Sequence, residues 1–123
     1  MAEKLKPKFV IKTAFVKYYQ SRNGKWRPVL IFQGYRYTFI WKITTKYLSK
    51  SQWIRKHYFP LFHWWPYGLN RPSYVDVNHK FVFRNQVYKQ TDLSRRPVIW
   101  RLNDSDSIQF IKFYRKAKTN RNN

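Results

Sequence analysis

Pro28-Val29-Leu30-Ile31-Phe32-Gln33-Gly34-Tyr35-Arg36-Tyr37-Thr38-Phe39-Ile40-Trp41-Lys42-Ile43 is the stretch on which the fold turns. Val29 to Phe32 is a short unbroken apolar run, β-branched and aromatic in character, and reads as a buried strand. Gly34 marks a tight reversal, and Tyr35 to Ile43 continues in partly alternating aromatic and polar residues. Together they predict a β-hairpin.

The same character extends in both directions. Phe9-Val10-Ile11 through Tyr18-Tyr19 reads as a strand, and Gln20 to Lys25, with its Asn23-Gly24 pair, as a turn. Thr44 to Arg55 is polar and predicts a loop with one helical turn. Tyr58 to Phe62 is a short strand that Pro60 confines to an edge or a strand end. Pro66 to Pro72 is a rigid, turn-rich connection. Ser73 to Val77 and Lys80 to Phe83 predict two strands around Asn78-His79, and Pro97 to Leu102 a last strand with Trp100 as a core ring.

The final element differs in kind. Asn103 is a good N-cap, and Asp104 and Asp106 sit where a helix dipole favours negative charge. Ile108, Phe110, Ile111 and Tyr114 give one apolar helical face, with Lys112, Arg115, Lys116 and Lys118 loading the later turns. The expected class is mainly β: a small barrel closed by a C-terminal α-helix, one domain over 9–117 with basic flexible ends at 1–8 and 118–123.

Charge narrows the function. The 123 residues carry 26 Lys+Arg against 5 Asp+Glu, a formal net charge of +21. Aromatic residues at 21% and hydrophobic residues at 43% separate the chain from disordered basic tails. A folded body with so strong a positive field favours polyanions. The absence of cysteine excludes disulfides and thiolate chemistry, and three histidines with five scattered acids argue against a metal cage, so no metal or cofactor is expected. No apolar run approaches the roughly 20 residues of a membrane span, and the N-terminal segment lacks a signal-like stretch, which predicts a cytoplasmic protein without a membrane partner. Cations and rings also alternate, as in Lys17-Tyr18-Tyr19, Lys25-Trp26-Arg27, Tyr35-Arg36-Tyr37 and Trp41-Lys42. Single-stranded nucleic acids are bound by such combinations, cations tracking phosphates and rings stacking on bases.

Read in order, Asn23-Gly24-Lys25-Trp26-Arg27-Pro28-Val29-Leu30-Ile31 and Lys42-Ile43-Thr44-Thr45-Lys46 resemble the signature of MazF/PemK-family toxins. Trp65 to Val75 and Arg101 to Asp106 are similar to later segments of diverged members, so the resemblance runs from about Val10 to Ala117. It implies an SH3-like β-barrel with a C-terminal helix, a homodimer, an acidic antitoxin protein as partner, and metal-independent cleavage of single-stranded RNA. In that chemistry the ribose 2′-OH attacks the adjacent phosphate, leaving a 2′,3′-cyclic phosphate and a 5′-hydroxyl.

Carried over by motif, Arg27 would stabilise charge on the phosphorane and Thr44 would bond a phosphate oxygen, with Thr45 beside it. Lys25, Trp26, Lys42, Lys46, Arg71 and Ser73 are the expected RNA contacts. The general base does not follow from the motif, because Gln20 to Trp26 holds no carboxylate. His79 titrates in the right range, with Asp76 nearby in sequence and His57 and His63 as alternatives. A non-catalytic nucleic-acid-binding module on the same barrel is the other reading.

Overall fold

A computed structural model describes residues 8–17 and 24–121. The deciding hairpin forms as expected. Strand β2 (Gly24–Gln33) pairs antiparallel with β3 (Tyr37–Thr44), from Val29↔Lys42 to Gln33↔Thr38. Gly34 donates its N–H to the Tyr37 carbonyl at 2.8 Å, and a Cβ at position 34 would stand 3.1 Å from that same oxygen. The reversal is therefore tight enough to favour glycine.

Around it, β1 (Phe9–Lys17) pairs with β2 from Phe9↔Phe32 to Lys17↔Gly24. Most of the expected turn between them lies outside the described residues. The remaining strands are β4 (Tyr58–Pro60), β5 (Tyr74–Arg84) and β6 (Trp100–Arg101), and the sheet order is β4-β5-β3-β2-β1-β6. The class is mainly β: six antiparallel strands curl into a half-barrel, with a C-terminal helix. Closure is incomplete, and the two edges are kept short, at three residues in β4 and two in β6. Short edges limit pairing with other chains. Pro60 sits on one of them, as its missing N–H requires.

Both sheet faces are covered. On one, Phe9, Ile11, Leu30, Trp41, Ile43 and Val75 pack against Phe110 of α4 (Asp104–Arg121), a residue only 1% exposed. On the other, Val29, Ile31 and Ile40 pack on Tyr88 of α2 (Asn85–Tyr88), with Leu93 of α3 (Asp92–Arg95) beside them. Lys12 pins that layer by donating to the carbonyls of Leu93 and Ser94 at 3.2 and 3.1 Å, and burial lowers its pKa. A further short helix, α1 (Gln52–Arg55), is the single turn expected in the polar loop.

Three expectations are corrected. Residues 74–77 and 80–83 are not two strands but parts of continuous β5, whose register shifts between the pairings Lys42↔Asp76 and Trp41↔Lys80. Trp100 is 46% exposed, because β6 is an edge strand with neighbours on one side only. Ile108 is likewise exposed, since it lies about 200° around the helix from Phe110. The apolar face is carried instead by Phe110, Ile111, Phe113, Tyr114 and Ala117. The expected cap is present: Asn103 Oδ1 accepts the Asp106 N–H at 2.7 Å.

Candidate active site

The β2–β3 ladder ends at Val29↔Lys42, and Arg27 and Thr44 each lie two residues beyond that rung, at the same end of the sheet. Thr44 in turn pairs with Tyr74, the first residue of β5. Its Oγ1 accepts the Lys46 N–H at 3.1 Å, so the hydroxyl proton stays available to a ligand oxygen. The loop that follows is pinned by Arg55, whose guanidinium donates to the Tyr47 carbonyl at 3.0 Å and the Leu48 carbonyl at 2.5 Å. Tyr47 stacks on Tyr74 with ring centroids 4.3 Å apart, tying the loop back to β5.

The irregularity in β5 falls beside this end. Lys42 faces Asp76 across the ladder, but the next rung is Trp41↔Lys80, so Val77, Asn78 and His79 are extra residues on the β5 side. Bulges of this kind re-aim side chains and occur often beside active sites. This one brings His79 Nδ1 to 2.5 Å from Asp76 Oδ2, while Asp76 Oδ1 accepts the Asn78 N–H at 3.1 Å. Asp76 is buried at 7% and the His79 side chain is 60% exposed. A carboxylate only accepts, so Nδ1 donates in this contact and Nε2 is the ring nitrogen left for a ligand. Tyr58, opposite Asp76 in β4, has its pKa raised by burial and secondarily by that carboxylate.

Beside Lys42, the side chains of Phe15, Val29, Phe81 and Leu93 border a hollow of about 420 Å³. Phe15 and Phe81 are each about half exposed, as stacking platforms must be. Among the remaining expected contacts, Lys25, Thr45, Lys46 and Arg71 are exposed. Trp26 is 51% exposed, but the Arg96 guanidinium lies 3.8 Å from its ring centroid, covering one face. Ser73 is corrected: it is buried, and its hydroxyl donates to the Arg71 carbonyl at 2.8 Å, so it shapes the turn before β5 instead of facing a ligand.

A second aspartate–histidine pair was not anticipated. His63 Nδ1 lies 2.8 Å from Asp106 Oδ2, and the Tyr67 hydroxyl donates to the same oxygen. Burial and the Asp106 bond push the Tyr67 pKa well up. Asp106 was expected only to answer the helix dipole; its bonds to a loop 43 positions away leave no local trace in sequence. His57, the third histidine, stacks edge-on to Trp53.

Among the described residues, no three His, Asp or Glu side chains gather as a metal cage would require, and no helix is long and apolar enough to cross a membrane. No family model matches the chain, and no curated protein matches it.

Proposed function

We propose that this chain is a metal-independent endoribonuclease acting on single-stranded RNA, the chemistry implied by its resemblance to MazF/PemK toxins. The observation that carries this reading is the bulge in β5, which sets an exposed histidine on a buried aspartate one strand from Lys42 and Thr44. His79 Nε2 takes the proton of the ribose 2′-OH, and the alkoxide attacks the adjacent phosphate. The P–O5′ bond breaks, giving a 2′,3′-cyclic phosphate, and the leaving 5′-oxygen takes a proton from water to become a hydroxyl. Arg27 and Lys42 offset the charge that builds on the phosphorane, and the Thr44 hydroxyl donates to a non-bridging oxygen. Bases flanking the cleaved bond rest in the hollow on Phe15 and Phe81. An acidic antitoxin and a homodimer are the partners that accompany this reading.

Incubating the protein with a long RNA in EDTA tests it. The expected products carry 5′-hydroxyl ends, and Arg27→Ala removes them; intact RNA in all conditions counts against the proposal. A charge of +21 favours the second reading, a binding module without catalysis. In that case affinity falls linearly in log[salt] with the number of phosphates neutralised, and Arg27→Ala weakens it only slightly.

A further inference from the structure

The end of β3 away from Thr44 carries a second hollow. It holds about 430 Å³ and is lined by Tyr35, Arg36 and Tyr37 at the β2–β3 turn and by Arg84, Asn85 and Gln86, where β5 ends and α2 begins. Asn85 locks the two segments together, although Tyr35 and Asn85 stand 50 positions apart. Its side-chain amide donates to the Gly34 and Tyr35 carbonyls at 3.0 and 3.1 Å, and its Oδ1 accepts the Thr38 hydroxyl at 2.8 Å. Its own N–H donates to the Arg36 carbonyl at 2.9 Å, and the rung Tyr37↔Arg84 adjoins it. The frame of the hollow is therefore held by the fold itself.

The side chains mounted on that frame are not spent on folding. Arg36 and Arg84 are both exposed, and among the described residues neither guanidinium pairs with a carboxylate. Arg84 precedes α2 without a side-chain cap bond. Tyr35 is 96% exposed, so its ring adds almost nothing to the core, and Tyr37 is 43% exposed. Planar guanidinium forks match the oxygens of a phosphate. Open rings beside unpaired cations suit a single strand, which sets phosphates on the cations and bases on the rings.

We propose that this hollow is a distal contact for the RNA strand, with one phosphodiester on Arg36 and Arg84 and a neighbouring base stacked on Tyr35. Strand β3 runs eight residues from Tyr37 to Thr44, roughly 23 Å at about 3.3 Å per residue. A strand that engages both ends must therefore be several nucleotides long. The contact rests on the RNA-binding half of the function proposed above and not on its cleavage step.

Fluorescence anisotropy of the full chain with a labelled 2′-O-methyl strand of about 16 nucleotides tests it. That strand lacks the attacking hydroxyl, so binding is read apart from cleavage. The double variant Arg36→Gln with Arg84→Gln should weaken binding about tenfold and lower the slope of log K against log[salt] by about 0.7, the loss of one neutralised phosphate. Tyr35→Ala should also weaken binding about tenfold, and the exposure of that ring keeps the variant folded. Lys112→Gln with Lys116→Gln removes the same charge from exposed positions of α4 and should change affinity less than about twofold. Wild-type affinity in either the arginine or the tyrosine variant overturns the contact, whatever the cleavage assay gives. An equal loss in the α4 variant reduces the effect to the overall positive field and overturns it as well. Oligoglutamate binding that depends on the two arginines, with strand binding that does not, assigns the hollow to an acidic protein instead. Strand binding that needs the arginines in a protein that cuts no RNA upholds the contact and counts only against the nuclease reading.

Discussion

The molecule holds two aspartate–histidine pairs built on one plan: a buried carboxylate (Asp76 or Asp106) gripping Nδ1 of a half-exposed ring (His79 or His63). Their surroundings differ. Asp106 also accepts from the Tyr67 hydroxyl, so its two side-chain bonds tie the 62–70 turn to the start of α4, whose first turn Asn103 caps. Among the described residues, the side-chain hydrogen bonds of Asp76 are local, to Asn78 and His79. It holds a ring three residues away in a bulge, across the ladder from Lys42 and one strand from Thr44. On the proposed reading the same motif serves as a staple in one place and as a base in the other, and what separates them is the neighbourhood of Lys42 and Thr44 rather than the pair itself.

The largest effect that breaks or keeps this contrast is kinetic. His79→Ala should lower RNA cleavage roughly 100- to 10,000-fold, the range for loss of a general base, with an unchanged urea midpoint. His63→Ala should leave cleavage intact and cost under about 1 kcal/mol, since its side chain is half exposed. Equal losses of cleavage in both variants would erase the distinction.

Next in size is stability. Asp106→Ala removes the acceptor of the hydroxyl of Tyr67, a residue only 1% exposed, and should destabilise the fold by about 1–3 kcal/mol in urea unfolding. Asp76→Asn should change the urea midpoint less than Asp106→Ala does while reducing turnover. The reverse order of destabilisation would assign the staple to the wrong pair.

The pH dependence sharpens the contrast further. Tyr67 has a folded pKa raised above its ordinary value of 10.0. The unfolded chain therefore loses that proton first, so the stabilisation is complete below about pH 10 and declines as pH rises above it. Tyr67→Phe should flatten this alkaline decline relative to wild type. A decline of equal steepness in the variant would place its origin elsewhere. The smallest effect is expected at Trp100→Ala. A fully buried ring costs about 3–5 kcal/mol, but this edge ring, 46% exposed, should cost well under that.

How much of this was legible depended on range. The Val29–Ile43 hairpin, the edge position of Pro60 and the Asn103 cap rest on neighbours in sequence, and each formed as read. Helices α2 and α3, at four residues each, are too short to display a helical period. The continuity of β5 through Asn78-His79 depends on β3, which pairs with residues 74–76 and again with residues 80–84, while β4 pairs with 74–76 on the other side. Residue pattern alone shows a break there. In the site, Asp76 and His79 were visible together because they are three apart, whereas the bulge that joins them across the ladder from Lys42 is a property of the sheet. Ser73 was misread for the converse reason: its hydroxyl is satisfied two residues back, by the Arg71 carbonyl.

The central claim is that the bulged histidine does chemistry at this sheet end. End-group analysis of RNA incubated in EDTA with wild type and with His79→Ala tests it most directly. The account predicts 5′-hydroxyl and 2′,3′-cyclic phosphate ends from the wild type and intact RNA from the folded variant. Equal cleavage by both proteins, or none by either, would contradict it.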